Sequence, residues 1–252
     1  QLVGTWTLLK KELLRFWRVV FQTVAAPVIT GILYLLIFSH VLDSRMEVYV
    51  GVPYMAFLIP GLIMMSLLQN SFSNSSSSLI QAKVMGNIVF LLLTPLSYIQ
   101  LFFAFLISAI VRGIFVGICI YLIATLYIDL PIKHPWIVFS FAFFGGGLMG
   151  AFGIIAGVWA ERFDQMAAFG NFVIMPLSML SGVFYSIHSL PISWQKVSQL
   201  NPFFYMIDGF RYGFFGQSDV SPYFSLSIVI LFFIVLSYVT IKMLKSGYKL
   251  RG

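Results

Sequence analysis

Charge is what this sequence lacks most. Only 9% of its 252 residues are Asp, Glu, Lys or Arg, where a soluble domain carries roughly 25%, and 60% are hydrophobic. With a mean hydropathy of +0.97, that composition excludes an ordinary water-soluble domain and indicates a polytopic membrane protein. Cysteine occurs once, as Cys119 inside an apolar run, so neither a disulfide framework nor a cysteine-based metal site can be built. Acids are few and peripheral to the apolar runs. Paired intramembrane carboxylates of the kind a proton relay needs are missing. No GxxxxGK[ST] phosphate loop is present, so the chain is expected to hold no ATP site of its own. Nor is there an HExxH or G-x-S-x-G element to support an intramembrane enzyme. Energy for any transport must come from a partner, or flow must be passive.

Basic residues are the exception to this scarcity, giving a net charge of +7. They sit at the ends of apolar runs and form no separate basic domain, which points to anionic lipid head groups rather than nucleic acid. His40, His134 and His188 all fall at outer span ends and read as lone surface residues rather than a metal site. No cleavable signal pattern is visible, and the first apolar run is too long to be one.

The apolar runs predict an all-α membrane protein of six spans, as one domain over 1–252. The spans are placed at about 21–41, 54–78, 101–127, 136–160, 166–187 and 223–243. Ahead of them, 5–20 reads as an amphipathic helix along the membrane surface. Its Lys10, Lys11, Arg15 and Arg18 reach head groups or water, and Trp6, Leu9, Leu13, Phe16 and Trp17 sit in the interface. With both ends inside, the inner segments hold Lys10, Lys11, Arg15, Arg18, Lys83, Arg162, Lys242, Lys245, Lys249 and Arg251. The outer ones hold only Arg45, Lys133, Lys196 and Arg211. That excess follows the positive-inside rule and supports an even number of crossings.

Several polar features interrupt the spans. In the second, Ser66, Asn70, Ser73 and Ser77 fall at helical spacing, with Gln69 and Ser76 beside them. At that depth the stripe must face other helices or a hydrated cavity, as interhelical glue or as a cavity wall. Arg112 lies midway along the third span with no acid at matching depth. It must find carbonyls, polar side chains or water, in a structural role or along a substrate path. Gly146, Gly150, Gly153 and Gly157 give the fourth span one smooth face for close packing. Asn171 and Phe172 lie near the inner end of the fifth.

Two stretches fit neither span nor loop. Residues 81–98 are too apolar for a free loop, yet Lys83, Gly86, Asn87 and the Thr94-Pro95 break argue against a continuous helix. Residues 188–216 end in LNPFFYMIDGFRYGFFG, too short to span at ~20 residues per crossing and too greasy for water. A pair of short re-entrant helices forming an outer lid is expected, with Asp208 and Arg211 three apart and able to pair on one face.

The run PLSMLSGVFYSIHSLPISWQKVSQLNPFFYMIDGFRYGF resembles the family of small ABC-2 type permeases, the six-span membrane subunits of ATP-driven exporters. The matching pieces are Pro176, Ser181 to Tyr185, Leu190-Pro191, Asn201-Pro202, Tyr205 and Arg211. The resemblance implies a homodimer served by two separate ABC ATPase subunits, which bind the ATP and Mg; this chain itself needs no cofactor. It implies a bacterial inner-membrane location, with both termini cytoplasmic. It makes 81–98 the coupling region, with Lys83, Asn87, Thr94 and Pro95 as contacts, although a Glu often found in the family near Val89 or Phe90 is absent here. The turn at Glu161 and Arg162 reads as a solvated turn or a second ATPase contact. On this reading the substrate path runs past Gln69, Asn70, Asn171, Phe172 and Arg112, and the outer gate comprises Phe184, Tyr185, Tyr205, Asp208 and Arg211. The 27 phenylalanines suit hydrophobic or amphipathic cargo, drug-like or lipid-like. The alternatives are a lipid or lipid-linked glycan exporter of the same family, and a passive channel or scaffold.

Overall fold

The computed structural model describes residues 2–42 and 47–250. Arg45 and Arg251, placed above in an outer and an inner segment, lie outside the described residues. Five helices are long and apolar enough to cross a membrane: α2 (Val20–Leu42), α3 (Tyr54–Val84), α5 (Tyr98–Ala124), α6 (Pro135–Trp159) and α11 (Pro222–Ser246).

Helix α3 is the axis. It is buried on nearly every side, between α5, α6, α2 and α10 (Pro202–Phe215), whereas α2 and α11 turn most of their apolar surface outward. That division is what a bilayer permits, because lipid tails are as apolar as a core and helices gain from close packing rather than from burial alone. Small residues supply the closeness. A Cβ built on Gly150 of α6 would lie 2.9 Å from Ala109 of α5, and one on Gly157 would lie 2.8 Å from Leu79 of α3. One on Gly153 would strike the Phe72 carbonyl. The glycine stripe therefore seats α6 in the crotch between two helices rather than against one.

Helix α3 runs six residues past the span expected for it and carries Lys83 in its last turn. Nothing in 79–84 breaks a helix. It stops at Met85, where Gly86 adopts a left-handed φ of 72° and donates to the Lys83 carbonyl at 3.0 Å.

The fifth crossing departs from a plain span. In place of one helix over 166–187 there are α7 (Phe163–Phe169), a π-turn (Gly170–Ile174) and α8 (Met175–Met179). The run of roughly 17 residues covers ~25 Å at 1.5 Å per residue. Pro176 lies in the first turn of α8 and cannot donate back along the helix. Gly182 then turns the chain with a φ of 77°. Beyond it, α9 (Ile192–Gln199) and α10 form the two short helices anticipated for the outer side. Asn201 caps α10 by accepting from the Phe203 amide at 3.0 Å, with Pro202 at its first position. An unanticipated hairpin, β1 (Glu47–Tyr49) with β2 (Val52–Pro53), lies just before α3.

Helix α1 (Leu2–Arg18) also differs from expectation. It does not leave one whole face to the membrane surface. Phe16 is buried, and the rings of Phe16 and Trp17 lie 5.5 and 5.8 Å from Phe115 of α5. Leu8 is buried in the same cluster as Phe105, so α1 runs alongside α5 and leads almost directly into α2. The heptad-like spacing of Leu8, Glu12, Arg15 and Phe16 puts them on one helix face, and that face is turned to the bundle.

Candidate functional site

Three layers of polar chemistry are stacked along α3. At the inner end lies Glu12 of α1, with no solvent exposure at all. Its carboxylate accepts from the Ser78 hydroxyl at 2.8 Å and from Arg15 Nε at 3.2 Å. Arg15 also donates through Nη2 to the Asn74 carbonyl at 2.7 Å and through Nη1 to Ser77 Oγ at 3.1 Å. Arg15 was expected to reach water; instead it closes a clasp between α1 and α3. A buried carboxylate is tolerated only when paired and hydrogen-bonded, and this one meets both requirements.

The polar stripe of α3 divides between the two roles open to it. Asn74 Nδ2 donates to Ser108 Oγ at 2.9 Å, and Ser71 Oγ to the Ala109 carbonyl at 3.1 Å, so this side joins α3 to α5. Gln69, Ser73 and Ser77 are less covered. Gln69 opens on a cavity of about 220 Å³ between α2 and α3, lined also by Thr30, Tyr34 and Ser66. Asn70 belongs to both sides. Its Nδ2 donates to the Ser66 carbonyl at 3.0 Å, and its Oδ1 accepts from Arg112 Nη2 at 3.2 Å. Arg112 thus finds a polar side chain. Its guanidinium carbon also lies 5.7 Å from the Phe16 ring centre. Asn171 and Phe172 are exposed on the π-turn, Phe172 to 81%, and neither lines the Gln69 cavity.

At the end of α3 that carries α4, the expected coupling residues go separate ways. Lys83 Nζ donates to the carbonyls of Val158 and Ala160, the latter at 2.9 Å. It thereby satisfies the open end of α6, where a cation also suits the helix dipole. Asn87, Thr94 and Pro95 are exposed around a short helix, α4 (Ile88–Leu93). Ser97 and Gln100 then start α5 with a reciprocal capping box at 3.3 and 2.9 Å. The most exposed side chains of α4 are apolar: Val89, Phe90 and Leu93. Between α4 and α1 lies a cavity of about 870 Å³. Glu161 is paired with Lys249 at 3.0 Å, and this hydrogen bond holds its carboxyl below the usual range. Arg162 is exposed.

The outer layer is a plug. Arg211 is buried and stacks on Phe57, its guanidinium carbon 3.8 Å from the ring centre. Its Nε donates to the Phe57 carbonyl at 3.2 Å, and Nη2 to the carbonyls of Gly182 and Val183 at 3.0 and 3.1 Å. The anticipated pair with Asp208 does not form. Asp208 accepts the amides of Asp219 and Val220 at 2.9 and 3.0 Å. The reason is supply: the tight turn at Gly182 leaves carbonyls without donors, and the loop after α10 leaves amides without acceptors. Tyr185 and Tyr205 each donate to a nearby carbonyl, of Met179 at 3.4 Å and Gln199 at 2.7 Å. The Phe184 ring meets Tyr34 of α2 at 5.2 Å, while its carbonyl accepts from Tyr54 at 2.6 Å. All five expected gate residues are therefore gathered at one end of the bundle.

The arrangement is a helical membrane bundle with a short helix at one end and two more at the other. Residues 3–215 match the family described as ABC-2 type transporter. The chain belongs to that family. It is also 37% identical over 252 residues, covering 98% of both chains, to the inner membrane transport permease YadH of Escherichia coli K12. The YadH proteins of Escherichia coli O157:H7 and Shigella flexneri match to the same extent. Membership of the ABC-2 family implies a separate ABC ATPase partner.

Two residues of this ABC-2 bundle escaped the sequence reading. Glu12 was hidden among the cations of a helix that looked interfacial, although its position on the same face as Leu8 and Phe16 was a usable signal. Asp219, in the loop after α10, is the other. It accepts from Tyr49 at 3.1 Å, Ser186 at 2.6 Å and the Ile187 amide at 2.8 Å, tying the hairpin to the plug. No local pattern announces contacts across 170 positions.

Proposed function

We propose that the chain is the permease of an ATP-driven exporter, which dimerises and is worked by two ABC ATPase subunits that bind ATP and Mg. The observation that carries this reading is the exposed apolar ridge of Val89, Phe90 and Leu93 on α4. A helix of six residues between two spans that turns such a ridge outward offers a surface for a partner protein to cover. The name of the YadH relatives supports placement in the inner membrane, and the distribution of basic residues supports cytoplasmic termini.

In the working cycle, nucleotide-driven closure of the ATPases pushes α4. The push reaches α3 directly and through the Glu12–Arg15 clasp. The cavity at Gln69 is squeezed, and the neighbouring Asn70 and the Arg112 that donates to it move with α3. Asn171 and Phe172, exposed on each protomer, face the second copy and complete the path. Cargo leaves past Phe184, Tyr185 and Tyr205, while Asp208 and Arg211 hold the plug together. The aromatic outer end and the largely apolar walls suit hydrophobic or amphipathic cargo.

The test is reconstitution with a cognate ATPase in inverted vesicles. ATP-dependent accumulation of a lipophilic dye, together with dye-stimulated hydrolysis, is the expected result. Dye movement at the wild-type rate in vesicles that contain no ATPase would overturn the proposal.

A further inference from the structure

Arg112 has no counter-ion among the described residues. Among the described residues it donates one hydrogen bond, to Asn70, and its buried Nε has no acceptor. The charge acting on it is another cation, Arg15, whose own carboxylate partner is Glu12. Glu12 is already engaged by Arg15 at 3.2 Å and by Lys11 at 3.7 Å, so among the described residues no acid is left to pair with Arg112. A buried positive charge left unbalanced is costly, so an anion from outside the chain is called for.

The level of Arg112 says where that anion comes from. Although Arg112 lies midway along α5, it stands beside Phe16, in the last and still charged turn of α1. From that turn, the 23 residues of α2 rise ~34 Å at 1.5 Å per residue, enough to cross a hydrocarbon layer of ~30 Å. The guanidinium of Arg112 is therefore level with the inner end of α2, and its long side chain reaches from mid-helix toward the phosphates of the inner leaflet.

Above it runs an apolar seam between α2 and α5. Val28, Gly31, Ile32 and Leu35 face Ile120 and Ile123 across a shallow groove. Ile123 is eleven residues beyond Arg112, which brings it back to within ~20° of the same helix face and places it ~16 Å further out. A side chain at Gly31 would meet no atom within 4 Å, so the groove is open there. Its enclosed volume is only about 30 Å³, which fits one side of an acyl chain and not a compact solute.

We propose that Arg112 and the α2/α5 groove form a seat for an acidic phospholipid of the inner leaflet, its phosphate on the guanidinium and one acyl chain along Gly31 and Ile123. Arginine suits this task because its fork matches phosphate oxygens. The seat concerns binding alone and does not depend on the transport cycle proposed above.

The test uses the purified full chain, stripped of lipid and offered dioleoyl phosphatidylglycerol and dioleoyl phosphatidylcholine in equal amounts, with retained lipid read by native mass spectrometry. Wild type is expected to retain phosphatidylglycerol about tenfold over phosphatidylcholine, because the choline cation already neutralises the phosphate of phosphatidylcholine and leaves the charge of Arg112 unbalanced. Arg112→Gln is expected to abolish the preference, and Arg112→Lys to keep most of it. Gly31→Leu is expected to weaken retention of both lipids and leave their ratio unchanged. Should Arg112→Gln not fold, Arg112→Lys and Gly31→Leu still decide. Equal retention by wild type and Arg112→Gln overturns the seat. So does displacement of the lipid by inorganic phosphate alone, which marks a free-anion site. A change of oligomeric mass in Gly31→Leu with lipid retention intact means that a second copy covers the groove, and it also overturns the proposal.

Discussion

Asp208 and Arg211 lie one helical turn apart on α10, both buried, and they do not bond to each other. Asp208 holds the amides of Asp219 and Val220, while Arg211 holds the carbonyls of Phe57, Gly182 and Val183. Two opposite charges three residues apart would gain from pairing on a bare helix by a few tenths of a kcal/mol. Leaving those backbone groups unmet in a dry site would cost about 1–3 kcal/mol each. The larger penalty decides the geometry, and the plug is pinned in two directions by one helix.

Removing either pin should therefore be unequal in effect. Asp208→Asn retains one acceptor oxygen and is expected to cost about 1–3 kcal/mol. Arg211→Met strips donors from three carbonyls and is expected to cost more than that, with a correspondingly lower unfolding midpoint in detergent by intrinsic fluorescence. Midpoints equal to wild type for both variants would contradict the account of the plug.

The clasp between α1 and α3 predicts an energetic coupling that a surface helix would not show. Glu12→Gln and Ser78→Ala should each destabilise. Their double-mutant cycle should give an interaction of about 0.5–3 kcal/mol, as groups in one hydrogen-bonded network do. Strict additivity would mean that the 2.8 Å contact carries no energy.

Along α6, the cost of adding one methyl should follow what it would meet. Gly153→Ala runs into the Phe72 backbone carbonyl, which cannot rotate away, whereas Gly146→Ala approaches Ser71 Oγ at 3.3 Å, a side chain free to adjust. Overpacking typically costs about 1–3 kcal/mol, so Gly153→Ala should fall in that range and Gly146→Ala below it. The reverse order in thermal melts would refute the close packing of α6 on α3.

For the ridge of α4, the expectation separates folding from partnership. Leu93→Glu and Phe90→Ala alter exposed side chains and should change stability by no more than about 0.5 kcal/mol. Both should reduce capture of the ATPase and its stimulated hydrolysis. Undiminished capture by the Phe90→Ala, Leu93→Glu double variant would move the docking surface elsewhere.

The C-terminal tail carries a pH window. Glu161 has its carboxyl lowered by the hydrogen bond to Lys249, and Lys249 has its amine raised by the same bond. A lowered acid contributes above its unfolded pKa and loses that contribution as pH falls through the folded one. A raised amine contributes below its unfolded pKa and loses it as pH rises through its folded one. The tail should thus be held between the carboxylate and the lysine ranges and released on either side. The pair is exposed, so high salt should release it too. A fluorophore at the tail, read by anisotropy, would show no pH or salt dependence if the pair were idle.

Patterns of three to twenty residues were enough for the sequence to define the membrane class, the long helices, the glycine face of α6 and the short outer helices. Those properties depend on hydropathy and helical period, which are local. The choice of partner was not local. Asp208 forsook Arg211, Arg15 turned inward to Glu12 and Asn74, and Lys83 capped α6 because each donor or acceptor went to the dry backbone or side-chain group in greatest need of it. Which groups end up dry depends on how α3, α6 and α10 meet. The sequence could say that Arg112 needed an acceptor; only the assembled bundle showed that Asn70 supplies one and leaves the charge itself unanswered.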